Sequence, residues 1–164
     1  MGVIARYALN TQGRDFAVGD IHGHFTRMAK ALDSVDFDPK VDRLFAVGDL
    51  VDRGPESPLV EHYLKMPWFA SVAGNHEVAL ISYSKRPPHQ WGRHGTEWFY
   101  DITQKEREMF AALFRTLPIL IEVETPNGTV GIVHADCMEN DWAVTVERLT
   151  NPGNNRRSKE AISQ

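Results

Sequence analysis

Four short segments concentrate the residues able to do chemistry. Gly19-Asp20-Ile21-His22-Gly23 sets a carboxylate and an imidazole two positions apart, and in extended chain such residues project to the same side. Gly48-Asp49-Leu50-Val51-Asp52-Arg53-Gly54 adds two carboxylates and a guanidinium. Gly74-Asn75-His76-Glu77 adds an amide carbonyl and an imidazole, and His134-Ala135-Asp136 a further imidazole. Each segment also has a structural reading. Asp20 can cap a turn, Asp52 and Arg53 can pair at the surface, and Asn75 can serve as a helix N-cap. A lone His134 can be structural. The conjunction points elsewhere. Asp20, His22, Asp49, Asn75 and His134 are oxygen and nitrogen donors without a thiolate, a set suited to Mn²⁺, Fe or Mg²⁺ rather than structural zinc. Five donors exceed what one ion takes from side chains while keeping water. Two ions sharing a carboxylate, ~3.5–4 Å apart, fit better.

The chemistry of such a centre is phosphoester hydrolysis. Two cations bring the pKa of a shared water near 7, and the resulting hydroxide attacks phosphorus in line. Arg53 neutralises charge on the phosphoryl oxygens. His76 protonates the departing alkoxide as general acid. Asp52 orients His76 and keeps it charged, because a nearby carboxylate raises an imidazole pKa.

The elements that must position these residues follow a strand-turn-helix rhythm. Residues 14–19, 43–47 and 68–73 read as strands, each running into one of the glycines above. Helices are predicted over 24–35, 56–64, 76–83, 105–117 and 139–149. Residues 119–123 and 129–134 flank Pro126-Asn127-Gly128 and read as a hairpin. Alternating strands and helices predict an α/β domain with parallel pairing in its first half. Ligands of such sheets bind beyond the carboxyl ends of the strands, where all four motifs sit. The stretch 84–95, with Lys85, Arg86, His89, Trp91, Arg93 and His94, reads as a solvated loop beside the site rather than a nucleic-acid contact.

Composition bounds the rest. The chain has 164 residues, enough for one domain with a real core. A net charge of −4 supplies no basic field for nucleic acid. The single cysteine, Cys137, excludes an intrachain disulfide and suits a reducing, cytoplasmic setting. No apolar run approaches the ~20 residues of a membrane helix.

The motifs GDIHG, GDLVDRG, GNHE and HAD, in this order from Gly19 to Asp136, resemble the PPP-type serine/threonine protein phosphatases, especially their small phage and bacterial members. The Trp98-Phe99 pair and Leu117-Pro118 before Ile119 add to the resemblance. It implies a calcineurin-like metallophosphoesterase β-sandwich flanked by helices. Asp20, His22 and Asp49 would hold the first ion, and Asp49, Asn75 and His134 the second. His76 and Asp52 would form the acid dyad, with Arg53 on phosphate. Two divalent ions are implied, Mn²⁺ by preference with Fe, Zn or Mg²⁺ as alternatives. The implied substrate is a phosphoprotein or phosphopeptide; related members cleave dinucleoside tetraphosphates, which gives a second reading. Family members carry a further histidine ligand in a Gly-His-Thr context beyond HAD, and an arginine in a Trp-x-Arg-x-Arg context. No histidine follows His134 here, and Arg148, Arg156 and Arg157 lack the tryptophan. The expectation is a single domain over 1–164 without its last strands, 152–164 being a polar tail or the start of a helix. Weak activity of the isolated chain is expected with it, or metal and phosphate binding without turnover.

Overall fold

The computed structural model describes residues 2–91, 95–137 and 141–151. Arg93, His94, the start of the helix predicted at 139 and the tail 152–164 lie outside them. The elements in chain order are β1 (Ile4–Tyr7), β2 (Asp15–Val18), α1 (Phe25–Asp33), β3 (Arg43–Ala46), α2 (Val60–Leu64), β4 (Phe69–Ser71) and α3 (Asn75–Tyr83), then α4 (Glu97–Asp101), α5 (Gln104–Phe114), β5 (Leu120–Thr125), β6 (Gly128–Val133) and α6 (Trp142–Thr150).

Two three-stranded sheets form the sandwich. One is all parallel in the order β2-β3-β4, and the other is mixed in the order β1-β5-β6. β3 is buried over Leu44, Phe45 and Ala46, as a central parallel strand covered on both faces must be. Leu44 and Ala46 join the core beneath the helices, with Phe25 and Met28 of α1, Val60 of α2, Leu80 of α3 and Phe110 and Phe114 of α5. Phe45 points the other way, into a second core with Val72, Ile121, Val123 and Ile132. Tyr7 meets the Phe45 ring edge-on at 5.0 Å, closing the space between the sheets. The sandwich, the flanking helices and the 126–128 hairpin match the expectation.

Two elements have no counterpart in the sequence reading. β1 pairs in parallel with β5, Arg6 opposite Glu122. Its partner is so remote in sequence that no local pattern announces it. The short α4 follows the loop at 95.

Asp42 fastens the start of β3. It accepts from the Arg14 N–H at 2.7 Å, the Arg14 guanidinium at 2.6 Å and the Asp38 N–H at 3.1 Å. These donors, the guanidinium foremost, hold its carboxyl at about 2 instead of the ordinary 3.8. A depressed folded pKa gives stability that is complete above the unfolded value and disappears as pH falls through the folded one. Unfolding followed by circular dichroism should show a loss of stability from about pH 3.8 down toward 2, flattened in Asp42→Asn. Among the described residues no helix is long and apolar enough to cross a membrane.

Candidate active site

The carboxyl ends of β2, β3, β4 and β6 feed the four motifs into one place. Asp49, just past β3, is its centre. Its Oδ2 lies 3.8 Å from Nε2 of both His22 and His76, and its Oδ1 lies 3.5 Å from Nε2 of His134. Asp20 Oδ2 is 3.8 Å from His22 Nε2. Asn75 Oδ1 is 2.9 Å from His134 Nε2.

The backbone that achieves this is strained. Among the described residues, five other than glycine have positive φ, and four of them are His22 (45°), Asp49 (48°), Asp52 (70°) and Arg53 (68°). Left-handed backbone in such residues costs on the order of 1–3 kcal/mol each and persists only where surrounding contacts impose it. Asp20 and His22 therefore converge through a left-handed turn at His22, a correction to the extended chain assumed from their spacing. Close packing adds to the constraint: a Cβ on Gly48 would meet the Gly74 nitrogen at 2.6 Å.

Glu77 imposes much of this geometry. It is fully buried. Its carboxylate accepts from the N–H groups of Asp49 at 3.0 Å, Leu50 at 2.9 Å and Gly74 at 2.8 Å. Burial pushes the carboxyl up to about 7, with the Asp49 charge acting the same way, while the three donors pull it down. Asp49 Oδ1 accepts the His76 N–H at 3.0 Å. Carboxylates thus serve the first turn of α3, and Gly74 is its N-cap. Asn75, expected as the cap, is instead the first helical residue, and its side chain goes to His134.

Asp52 and His76 form a pair at 2.7 Å between Oδ2 and Nδ1. Asp52 is fully buried, and its other oxygen accepts from Trp98 Nε1 at 2.7 Å. The Asp52 hydrogen bond raises the His76 pKa against its burial, and the Asp49 charge assists. Asp52 and Arg53 do not make the surface pair that their adjacency allowed. Arg53 turns its guanidinium to His22 Nε2 at 2.8 Å and His76 Nε2 at 3.3 Å.

The donor set fits metal. His134 Nδ1 donates to the Val47 carbonyl at 2.8 Å and His22 Nδ1 to the Val51 carbonyl at 3.0 Å, because a carbonyl only accepts. With Nδ1 engaged in this way each ring turns Nε2 to the centre, the orientation typical of metal-ligating histidines. At His134 this nitrogen faces the carbonyl oxygen of Asn75 at 2.9 Å, and the two would serve together as ligands of a cation. Ligand atoms of Asp20, Asp49 and His134 lie within 4.8 Å of one another, as do those of His22, Asp49 and His76. This grouping exchanges partners relative to the family assignment, but Asp49 is common to every set.

A family profile described as calcineurin-like phosphoesterase matches residues 16–162. The chain belongs to this family. Calcineurin-like phosphoesterases are hydrolases that use a dinuclear metal centre. The chain is 41% identical over 125 residues to serine/threonine-protein phosphatase 2 of Escherichia coli K12, covering 74% of this chain and 57% of that protein. It is 36% identical over 122 residues to a symmetrical bis(5'-nucleosyl)-tetraphosphatase of Aromatoleum aromaticum, covering 73% and 43%. A crystal structure provisionally designated a diadenosine tetraphosphatase superposes with a TM-score of 0.67 at 29% identity, over 86% of this chain and 58% of the other. The chain thus spans somewhat over half the length of its phosphatase relatives.

Glu77 and Trp98 stood in the family resemblance but were given no part in the site. Glu77 carried a signal, an acid three residues after a helix-starting glycine. Trp98 had only the Trp98-Phe99 pair of the resemblance, which names no partner, since its bond to Asp52 spans 46 positions. Trp98→Phe leaves a buried carboxylate oxygen without its donor. It is expected to lower stability by about 1.5–3 kcal/mol, measured by urea unfolding.

Proposed function

We propose that the chain is the metal-binding and acid-catalytic part of a serine/threonine protein phosphatase, a Mn²⁺-dependent phosphomonoesterase of the reducing cytoplasm. The observation that supports this best is the buried Asp52–His76 pair set against the Asp49-centred donors. Asp20, His22, Asp49, Asn75 and His134 would hold the two ions. When bound, these ions activate a water as nucleophile and neutralise phosphoryl charge. Arg53 orients the phosphoryl group between the two histidines it already touches. His76, charged through Asp52, passes its Nε2 proton to the leaving serine or threonine oxygen. Asp52 holds the ring by Nδ1, and Trp98 holds Asp52.

Cleavage of a dinucleoside tetraphosphate is the second reading, favoured by the relatives and the solved structure that bear that name. Mn²⁺ titration of the full chain, with rates on phosphoserine peptide and diadenosine tetraphosphate side by side, separates the readings. Two Mn²⁺ per chain and a higher kcat/KM on the peptide are expected. Asp49→Asn is expected to weaken Mn²⁺ binding by at least about 100-fold, beyond what loss of an outer partner causes. Preference for the nucleotide would transfer the assignment to the second reading, and a chain that binds no Mn²⁺ would overturn both.

A further inference from the structure

A cleft of about 480 Å³ lies between the end of α3 and the flank of α5. Among the described residues its charged lining is Lys85, Arg86, Arg107 and Arg115, with Glu108 the one acid. In a protein of net charge −4, four cations around one cleft need an account. Among the described residues, the lysine and arginine ion pairs are Arg6–Glu122, Arg14–Asp42, Arg43–Asp15 and Lys65–Glu61, and none involves these four. Glu108 is occupied by Gln104 Nε2 at 2.9 Å. Arg107 is held in place by the carbonyls of Phe99 and Tyr100, both at 2.8 Å, and lies over the Trp91 ring at 5.1 Å. Its charge is fixed at the cleft but answered by no carboxylate.

The shape is a groove. Gln104 and Glu108 lie on α5 and Arg115 is its C-cap, and the eleven residues of the helix span about 16 Å. That length accommodates about five residues of extended chain. Among the described residues no aromatic ring lines the cleft, which gives a base no stacking platform there. It is also separate from the histidine–carboxylate centre. Asn75 and His76 open α3, whereas Ser84 and Lys85 follow its other end, about 14 Å along the axis.

We propose that this groove is an exosite for an acidic peptide segment, whose carboxylates pair with Lys85, Arg86, Arg107 and Arg115. That the segment belongs to a phosphoprotein substrate rests on the function proposed above; binding by the groove does not.

The test is binding of a fluorescein-labelled hexaglutamate peptide to the full chain by anisotropy, in the wild type and in Arg86→Glu/Arg115→Glu. The expected result is binding that weakens with salt and falls at least about tenfold in the double variant, as two reversed exposed contacts imply. The thermal midpoint verifies folding, and Lys85→Glu/Arg115→Glu repeats the test if the first variant does not fold. Absence of peptide binding, or equal affinity in the folded variant, overturns the exosite. Displacement by inorganic phosphate at concentrations equal to the peptide's would reassign the groove to the free anion and overturn the peptide assignment. Mn²⁺ binding and p-nitrophenyl phosphate turnover are followed in parallel. Their absence in the wild type would count against the phosphatase reading without affecting the peptide result.

Discussion

Replacing His76 by asparagine lowers the rate of phosphoester hydrolysis by about 10²–10⁴, the range lost with a positioned general acid, while Mn²⁺ affinity stays within a few-fold of wild type. The second half of this result distinguishes two roles. By distance alone His76 could be a ligand, since its Nε2 is as close to Asp49 as that of His22. The partner of its other nitrogen points to the acid role. Nδ1 is committed to Asp52 at 2.7 Å, and that bond raises the imidazole pKa, with the Asp49 charge assisting and the Arg53 guanidinium opposing. The protonated form so favoured has a proton to give and no lone pair for a cation. A drop in Mn²⁺ affinity as steep as the drop in rate would make His76 a ligand and remove it as the acid. The same pairing sets a pH dependence. The rate needs the protonated ring, so it declines as pH rises through the pKa of His76. Removing Asp52 lowers that pKa, so the alkaline limb of kcat in Asp52→Asn moves to lower pH.

Replacing Glu77 by alanine destabilises the fold by about 3–5 kcal/mol. Three buried N–H groups, of Asp49, Leu50 and Gly74, lose their only acceptor. Each unsatisfied donor costs about 1–3 kcal/mol, and partial relaxation keeps the sum below the maximum. The loss is large against the 5–15 kcal/mol that holds a typical domain. Urea unfolding at pH 7 measures it. A change under 1 kcal/mol would mean that another acceptor replaces the carboxylate. The effect reaches the site too, because Glu77 fixes the backbone on either side of the Asp49 carboxylate. A folded remnant of the variant should bind Mn²⁺ more weakly, although Glu77 faces no ion.

Much of this was legible in the order of residues. Asp20, Asp49, Asn75 and His134 each end or follow a strand, and glycine-flanked polar residues at strand ends state their position locally. The parallel pairing of β2, β3 and β4 followed from strand-helix alternation. What was not legible depended on distance or on backbone sign. β1 is four residues with a partner in the second half of the chain. The left-handed turn at His22 brings its ring to Asp20 by a route that the spacing of the two does not show. Asn75 had the residue type of a cap, but the helix starts one residue earlier, with Gly74 as the cap and the Asp49 carboxylate taking the His76 N–H. Trp98 entered with Phe99 as part of a resemblance, and its role comes from an indole N–H that meets Asp52 across 46 positions.

The parallel pairing of Arg6 with Glu122 also sets a schedule. The parallel sheet and α3 draw on residues no later than Tyr83, and with them come Asp20, His22, Asp49, Asp52 and His76. β1 emerges from the ribosome first but waits for a strand that starts at Leu120. At 5–20 residues per second the 116 positions between Arg6 and Glu122 take roughly 6–23 s to synthesise. His134 follows β6, which is held by β5. Hydrogen exchange during refolding would read the same order, amides of β3 becoming protected before those of β1. The oldest strand in the chain and the newest donor in the site lock in the same event.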